Sequence, residues 1–171
     1  SRASVPVRSE RSESPYVIAF KKMASEYDII HLSMHGLGNE KNPLLSALYF
    51  SDFDSQNEDN VLESWEIMQL PLQARLVVLS ACESGVGAYL QGEGVSSLAR
   101  AFMYAGASSL LVSLWKVNDK TTSILMEKYY AALAEGDDKA TALQKAKLHL
   151  IESYSANIAH PAYWAAFIQI G

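Results

Sequence analysis

Short apolar runs alternate with segments of helical spacing along most of the chain. Apolar runs bounded by polar or glycine-containing stretches predict buried strands at 28–34, 75–80, 109–114 and 164–170. Apolar residues recurring every three or four positions predict helices at 15–26, 95–105, 125–135 and 143–150. Strands that alternate with helices predict an α/β, three-layer fold, with a mostly parallel sheet and helices on both faces.

Residues that typically end or cap helices refine the predicted element boundaries. Gly106 and Gly136 are placed to end two helices, and Asp137 or Asp138 can cap the helix that follows. A short strand is predicted at 47–51 and helical turns at 64–70, with loops at 36–44, 52–60 and 85–94. Residues 1–27 are predicted to form a lead with a short helix, and 28–171 one domain.

Two reactive side chains follow the predicted ends of two strands. His35 comes after the first strand and Cys82 after the second. Functional groups collect at the carboxyl ends of parallel strands, and neighbouring strands ~5 Å apart would bring these two within reach. His35 can accept the thiol proton of Cys82 and later protonate a leaving amine. The backbone N–H groups of Gly36 and Cys82 can form an oxyanion hole. The alternative is that Cys82 is a small buried hydrophobe.

The other histidines point to structural roles. His31 alternates with apolar residues inside a strand, which favours a core or supporting role over catalysis. The segment between His31 and His35 lacks the glutamate of a zinc-protease helix, so no metal is expected. His149 in a helix and His160 in a loop are interpreted as structural.

Asp119 and the glycines of 85–94 are two further candidates for ligand binding. Asp119 follows a strand, and helix capping and a pocket role are equally compatible with its position. The glycines of 85–94 match neither a dinucleotide nor a phosphate-loop motif, so they are interpreted as turn-forming residues.

Composition limits the classes of function. The 171 residues are 49% hydrophobic and 19% charged, as in a globular domain, and the net charge of −5 gives no basic footprint for nucleic acid. One cysteine excludes an intrachain disulfide and suits a reducing cytosol. No apolar run is long enough for a membrane span, and the start lacks a secretory signal. We therefore expect a cytoplasmic protein, and a first residue other than Met suggests a fragment or processed product.

The blocks DIIHLSMHG, LVVLSACESGVG, GEGVSSLARAFMYAGASSLLVSLWKVND and HPAYWAAFIQIG together resemble the CHAT domain family. Members of this family are caspase-like proteases of the clan that includes caspases, gingipains and separase. The resemblance implies a His35–Cys82 dyad, an oxyanion hole of the Gly36 and Cys82 N–H groups, and no cofactor. It also implies that Asp119 receives an arginine side chain, and hence cleavage of a protein or peptide substrate after Arg or Lys.

The resemblance carries expectations about the larger protein as well. Family members often follow helical-repeat domains that bind activators or recruit targets, so a helical-repeat or other regulatory partner is expected. The full family domain begins with an additional half, which is missing or only partly present here. Two rival hypotheses are an adaptor module that does not cleave and a non-protease acyl hydrolase.

Overall fold

A computed structural model describes residues 12–39, 41–50, 58–80, 97–115, 117–153 and 160–171. Its strands are β1 (Ser12–Glu13), β2 (Ile29–Leu32), β3 (His35–Leu37), β4 (Ala47–Tyr49), β5 (Glu58–Asp59), β6 (Val61–Glu63), β7 (Leu76–Leu79), β8 (Leu110–Ser113) and β9 (Phe167–Ile170). Its α-helices are α1 (Pro15–Met23), α2 (Ser64–Ile67), α3 (Ser97–Tyr104), α4 (Asp119–Ala134), α5 (Lys139–Ser153) and α6 (Pro161–Trp164). Short 3₁₀ turns lie at Ala24–Glu26 and Pro43–Leu45.

The main sheet has the strand order β2-β7-β8-β9. The first three strands are parallel, and β9 pairs antiparallel with β8. This confirms the predicted mostly parallel sheet. β7 and β8 are buried along their whole length because both of their faces are covered. β2 differs from the prediction of a buried strand: it lies at the edge of the described sheet, and its residues alternate, with Ile29 and His31 exposed.

Helices cover the two faces of this sheet. Side chains alternate along β7, so Val77 and Leu79 join one apolar cluster while Leu76 and Val78 join the other. The first cluster includes residues of α1 and α3, and the second includes residues of α4 and α5. The predicted three-layer arrangement is therefore confirmed, with β7 at its centre.

The helices begin and end at the predicted capping residues and glycines, with one exception. Gly106 and Gly136 follow α3 and α4 with positive φ of 114° and 99°, a region that L side chains rarely adopt. Asp138 Oδ1 accepts hydrogen bonds from the backbone N–H groups of Ala140 and Thr141 in the first turn of α5. The cap of α4 is Asn118, so the capping interpretation of Asp119 is wrong: Asp119 is the first helical residue.

A second sheet begins where a loop was predicted. The prediction of a loop over 36–44 is wrong at its start, because Gly36 lies in β3, which pairs antiparallel with β4, and β4 pairs with β6. These pairings supply the hydrogen-bond partners that a glycine-containing triplet alone does not reveal.

The last strand also starts later than predicted, because His160 caps α6 and Trp164 ends it. Within the described ranges, no helix combines the length and apolar character that crossing a membrane requires.

Candidate active site

The candidate site is built from segments that follow the carboxyl ends of neighbouring strands in the main sheet. Leu32 in β2 pairs with Leu79 in β7, and the Ser80 N–H donates to the Leu32 carbonyl at 3.0 Å. The two parallel strands therefore end at the same level. His35 and Cys82 each come three positions after the paired leucines. Cys82 lies outside the described residues, as does the glycine-rich segment 85–94.

The third segment comes from β8. Leu79 also pairs with Val112, and β8 ends at Ser113 beside the end of β7. The chain then continues to α4, whose first residue is Asp119. Because β2, β7 and β8 are parallel neighbours, all three segments that carry candidate residues start from the same sheet edge.

His35 is the first residue of β3 and is exposed. It stands opposite Tyr49 of β4, and Gly36, which is buried, stands opposite Leu48. Burial, with a smaller effect from the Glu63 carboxylate, raises the pKa of Tyr49, so this phenol stays neutral beside the histidine. His35 is thus held by strand pairing while its imidazole remains accessible, as a general base requires.

Asp119 is exposed in the first turn of α4. Asn118 Oδ1 accepts hydrogen bonds from the N–H groups of Lys120 at 3.0 Å and Thr121 at 3.3 Å, and thereby caps the helix. The Asp119 carboxylate is not needed for that cap. An exposed carboxylate at this position can receive a cationic side chain.

The segment before α4 is anchored at its tryptophan. The Trp115 Nε1–H donates a hydrogen bond of 3.0 Å to the carbonyl of Ala162 in α6. Val117, two residues later, is buried in the cluster beneath α4 and α5. These two contacts fix the approach to Asp119.

A network not predicted from the sequence surrounds His31. Its Nε2 lies 3.0 Å from Ser80 Oγ, and its Nδ1 lies 3.0 Å from the Tyr130 hydroxyl. The His31 and Tyr130 rings are 5.8 Å apart at their centroids. The supporting role favoured for His31 agrees with these contacts, but no local signal could have identified a partner 99 positions away.

Ser46 is a second link that the sequence did not indicate. Its buried hydroxyl accepts a hydrogen bond from the Asn39 N–H at 2.9 Å and lies 2.5 Å from Ser97 Oγ. Its carbonyl accepts from the Ser64 N–H and hydroxyl at 2.7 and 3.0 Å. Asn39 follows the candidate base by four positions, and Ser97 starts α3, so Ser46 joins the segment after His35 to the start of α3.

The family model of the CHAT domain matches residues 8–171, which is nearly the whole chain. The chain belongs to the CHAT domain family. The CHAT domain is related to the caspase-like peptidases, in agreement with the resemblance carried by the sequence blocks and with the three-layer fold.

Two curated relatives share about a third of their aligned residues with this CHAT domain. Tetratricopeptide repeat protein 28 of Homo sapiens is 32% identical over 114 residues, which are 67% of this chain and 4% of the relative. Tetratricopeptide repeat protein 28 of Mus musculus is 32% identical over 111 residues, which are 65% of this chain and 4% of the relative. The chain therefore spans a very small part of the length of these relatives.

In the described part of this CHAT domain, histidine and carboxylate side chains form no group of three or more that could hold a metal ion. His160, one of the histidines interpreted as structural, accepts a hydrogen bond at Nδ1 from the Ala162 N–H at 3.2 Å and so caps α6.

Proposed function

We propose that this CHAT domain is the catalytic part of a cysteine endopeptidase that cleaves after Arg or Lys. The observation that carries the proposal is the pairing of β2 with β7. Leu32 and Leu79 are partners in parallel strands, and His35 and Cys82 follow them at equal spacing. Equal spacing from neighbouring parallel strands favours an encounter of the imidazole with the thiol.

The proposed reaction starts with transfer of the Cys82 thiol proton to His35. The thiolate attacks the scissile carbonyl carbon, and the carbonyl electron pair moves to oxygen, where the Gly36 and Cys82 N–H groups would hold it. Collapse expels the amine, which takes its proton from His35 and leaves a thioester. Water, deprotonated by His35, then attacks the thioester, and the thiol and a carboxylic acid are released.

The proposed specificity rests on Asp119. Its carboxylate is exposed, and the segment that bears it leaves the same sheet edge as the segments carrying the proposed dyad. A guanidinium can donate two parallel hydrogen bonds to a carboxylate, a stronger arrangement than a single neutral hydrogen bond. A substrate aspartate would be repelled at the same position, which distinguishes this specificity from cleavage after Asp.

A second candidate function is an adaptor module that binds proteins without cleaving them. The two relatives are named for tetratricopeptide repeats, and a helical-repeat domain or partner that recruits target proteins is compatible with either function. In an adaptor the fold would be retained while the reactivity of Cys82 would not matter. The two functions therefore differ in what happens when the thiol is removed.

The proposal is tested with peptidyl acyloxymethyl ketones that end in Arg, Lys or Asp, followed by intact mass measurement of the full chain. A competent site forms a thioether, as the Cys82 sulfur displaces the carboxylate leaving group. We expect one adduct with the Arg and Lys probes and none with the Asp probe. Cys82→Ala should form no adduct, and His35→Ala should react at least about 100-fold more slowly, because general-base assistance is lost.

Matched variants separate specific from general effects. Asp119→Asn should weaken reaction with the Arg probe, whereas Glu127→Gln, which removes the same charge from an exposed position on α4, should not. His160→Asn removes an imidazole but keeps a capping oxygen for α6. If iodoacetamide alkylates Cys82 while the Arg and Lys probes leave it unmodified, the endopeptidase proposal fails. A partner-binding function that persists in Cys82→Ala would then favour the adaptor.

A further inference from the structure

The side chains of Tyr130, His31 and Ser80 form a continuous hydrogen-bonded network. Tyr130 of α4 reaches His31 Nδ1, and His31 Nε2 reaches Ser80 Oγ, each at 3.0 Å. Ser80 directly follows β7, and its own N–H is bonded to Leu32 in β2. These hydrogen bonds join α4, β2 and the end of β7, which are distant from one another in sequence.

We propose that His31 is a positioning residue for the nucleophile, holding α4 against the end of β7 through Tyr130 and Ser80. This inference rests on the proposed endopeptidase function. Cys82 follows Ser80 by two positions, and Asp119 opens the helix that carries Tyr130. His31 therefore connects the segment with the proposed thiol to the helix with the proposed specificity residue.

The protonation states support a connected chain. His31 keeps contact with solvent, but partial desolvation by the protein around its ring lowers its pKa, which keeps the imidazole neutral at pH 7. Burial raises the pKa of Tyr130 to about 12, which keeps the phenol protonated. A neutral imidazole has one donor and one acceptor nitrogen. In either tautomer His31 can make both bonds, donating to one oxygen and accepting from the other.

The position of His31 argues against a role in packing alone. His31 lies on the strand at the edge of the described sheet and is exposed, whereas its neighbours Ile30 and Leu32 are 6% and 5% exposed and fill the core. Because this position is exposed, core packing does not explain why it carries an imidazole. Both of its ring nitrogens are nevertheless engaged by side chains of other elements.

The same contacts could be interpreted as a serine nucleophile with a histidine base. Ser80 is only 7% exposed at the end of the buried strand β7, and a substrate carbonyl must reach the attacking oxygen. His31 also makes its second bond to a neutral phenol instead of a carboxylate, so the imidazolium formed by proton abstraction would lack a compensating charge. The positioning role fits both observations.

Adjacent tyrosines on α4 provide a matched test. Tyr130→Phe removes the hydroxyl that reaches His31, whereas Tyr129→Phe removes a hydroxyl that reaches Gln169 Oε1 at 3.2 Å in β9. In the full chain, the inactivation of Cys82 by the arginyl acyloxymethyl ketone is resolved into a binding constant and a maximal rate constant. Iodoacetamide alkylation of Cys82 and thermal unfolding are measured on the same variants.

We expect Tyr130→Phe to lower the maximal inactivation rate constant about 10-fold and His31→Ala up to about 100-fold, because small misplacements of reacting groups have effects of this size. Tyr129→Phe should change it less than about twofold. Alkylation by iodoacetamide, which needs no substrate alignment, should stay within about twofold of the wild-type rate in all three variants.

Each failure has a distinct signature. If wild-type Cys82 does not react with the arginyl probe, the endopeptidase function and the positioning role both fall. If wild type reacts but Tyr130→Phe and Tyr129→Phe give equal rate constants, only the positioning role falls. The positioning role alone also falls if the lower inactivation rate constants of the variants are fully explained by a smaller fraction of folded protein. Labelling of Ser80 by a fluorophosphonate would overturn the positioning role in favour of a serine nucleophile.

Discussion

Gly106 and Gly136 form a matched pair for testing how tightly α3 is held. Both follow a helix and have positive φ, 114° and 99°. An ideal Cβ on Gly106 would lie 2.1 Å from the Leu72 carbonyl oxygen, whereas a Cβ on Gly136 would meet no atom within 4 Å. Alanine at either position introduces the same backbone strain, but only Gly106→Ala also introduces a collision with backbone.

The expected magnitudes differ accordingly. For Gly136→Ala, positive φ destabilises a non-glycine residue by roughly 1–2 kcal/mol, partly offset by about 0.4–1 kcal/mol from the smaller entropy of the unfolded chain. Gly106→Ala adds about 1–3 kcal/mol for overpacking against Leu72. Displacing Leu72 also weakens its N–H bond to the Ala105 carbonyl, 2.9 Å long, which contributes about 1 kcal/mol. We expect about 1 kcal/mol of destabilisation for Gly136→Ala and about 3–5 kcal/mol for Gly106→Ala.

Urea unfolding monitored by circular dichroism measures both values. The midpoint should fall for each variant without a change in the slope, because the surface exposed on unfolding is the same. The free energy of unfolding of Gly106→Ala should lie about 2–4 kcal/mol below that of Gly136→Ala. Two variants equal within about 0.5 kcal/mol would refute the close contact between the end of α3 and Leu72.

Three further predictions address the core, the links around the site and pH. Leu111→Ala in β8, which is fully buried, should lower the free energy of unfolding in urea by about 2–5 kcal/mol, and a loss below about 1 kcal/mol would contradict its central place. Ser46→Ala, which leaves the Asn39 N–H without its acceptor, should destabilise by about 1–3 kcal/mol and slow inactivation of Cys82 by the arginyl probe; an unchanged rate would show that Ser46 does not support the site. Hydrogen bonds from the Thr141 hydroxyl and from backbone lower the pKa of Asp138 below its ordinary 3.8, so its stabilising effect is present above that value and is lost as the pH falls through the lower folded pKa. The stability difference between wild type and Asp138→Ala should therefore shrink in urea titrations below about pH 4, and a constant difference down to pH 2 would contradict the shift.

Features governed by local pattern were predictable from the sequence. The apolar run that became β7 has no polar residue to expose, so burial on both faces follows from composition. Gly106 and Asp138 act within one turn of the helices that they delimit, so their roles could be inferred without knowing the fold. In the helix predicted at 143–150, the apolar residues Leu143, Ala146 and Leu150 recur at helical spacing, which predicts that they face inward, and all three are buried in α5.

Features governed by pairing between distant segments were not predictable. His35–Leu37 is a strand only because β4 pairs with it, and its three residues have no strong strand preference of their own. The exposure of Ile29, at 41%, reflects the edge position of β2, which cannot be inferred from an apolar run. The bond between His31 and Tyr130 joins residues 99 positions apart, so only the tertiary structure brings them together.

The separation of stabilising and reactive residues makes the proposed function testable. β7 is buried between two apolar clusters, and Ser80 ties its end to β2. His35 and Asp119, by contrast, are exposed at the ends of their segments. Exposed substitutions away from caps and special backbone conformations usually change stability by less than about 0.5 kcal/mol. Variants of His35 and Asp119 should therefore remain folded, and a loss of reaction with the arginyl probe in such variants can be attributed to chemistry and recognition instead of unfolding.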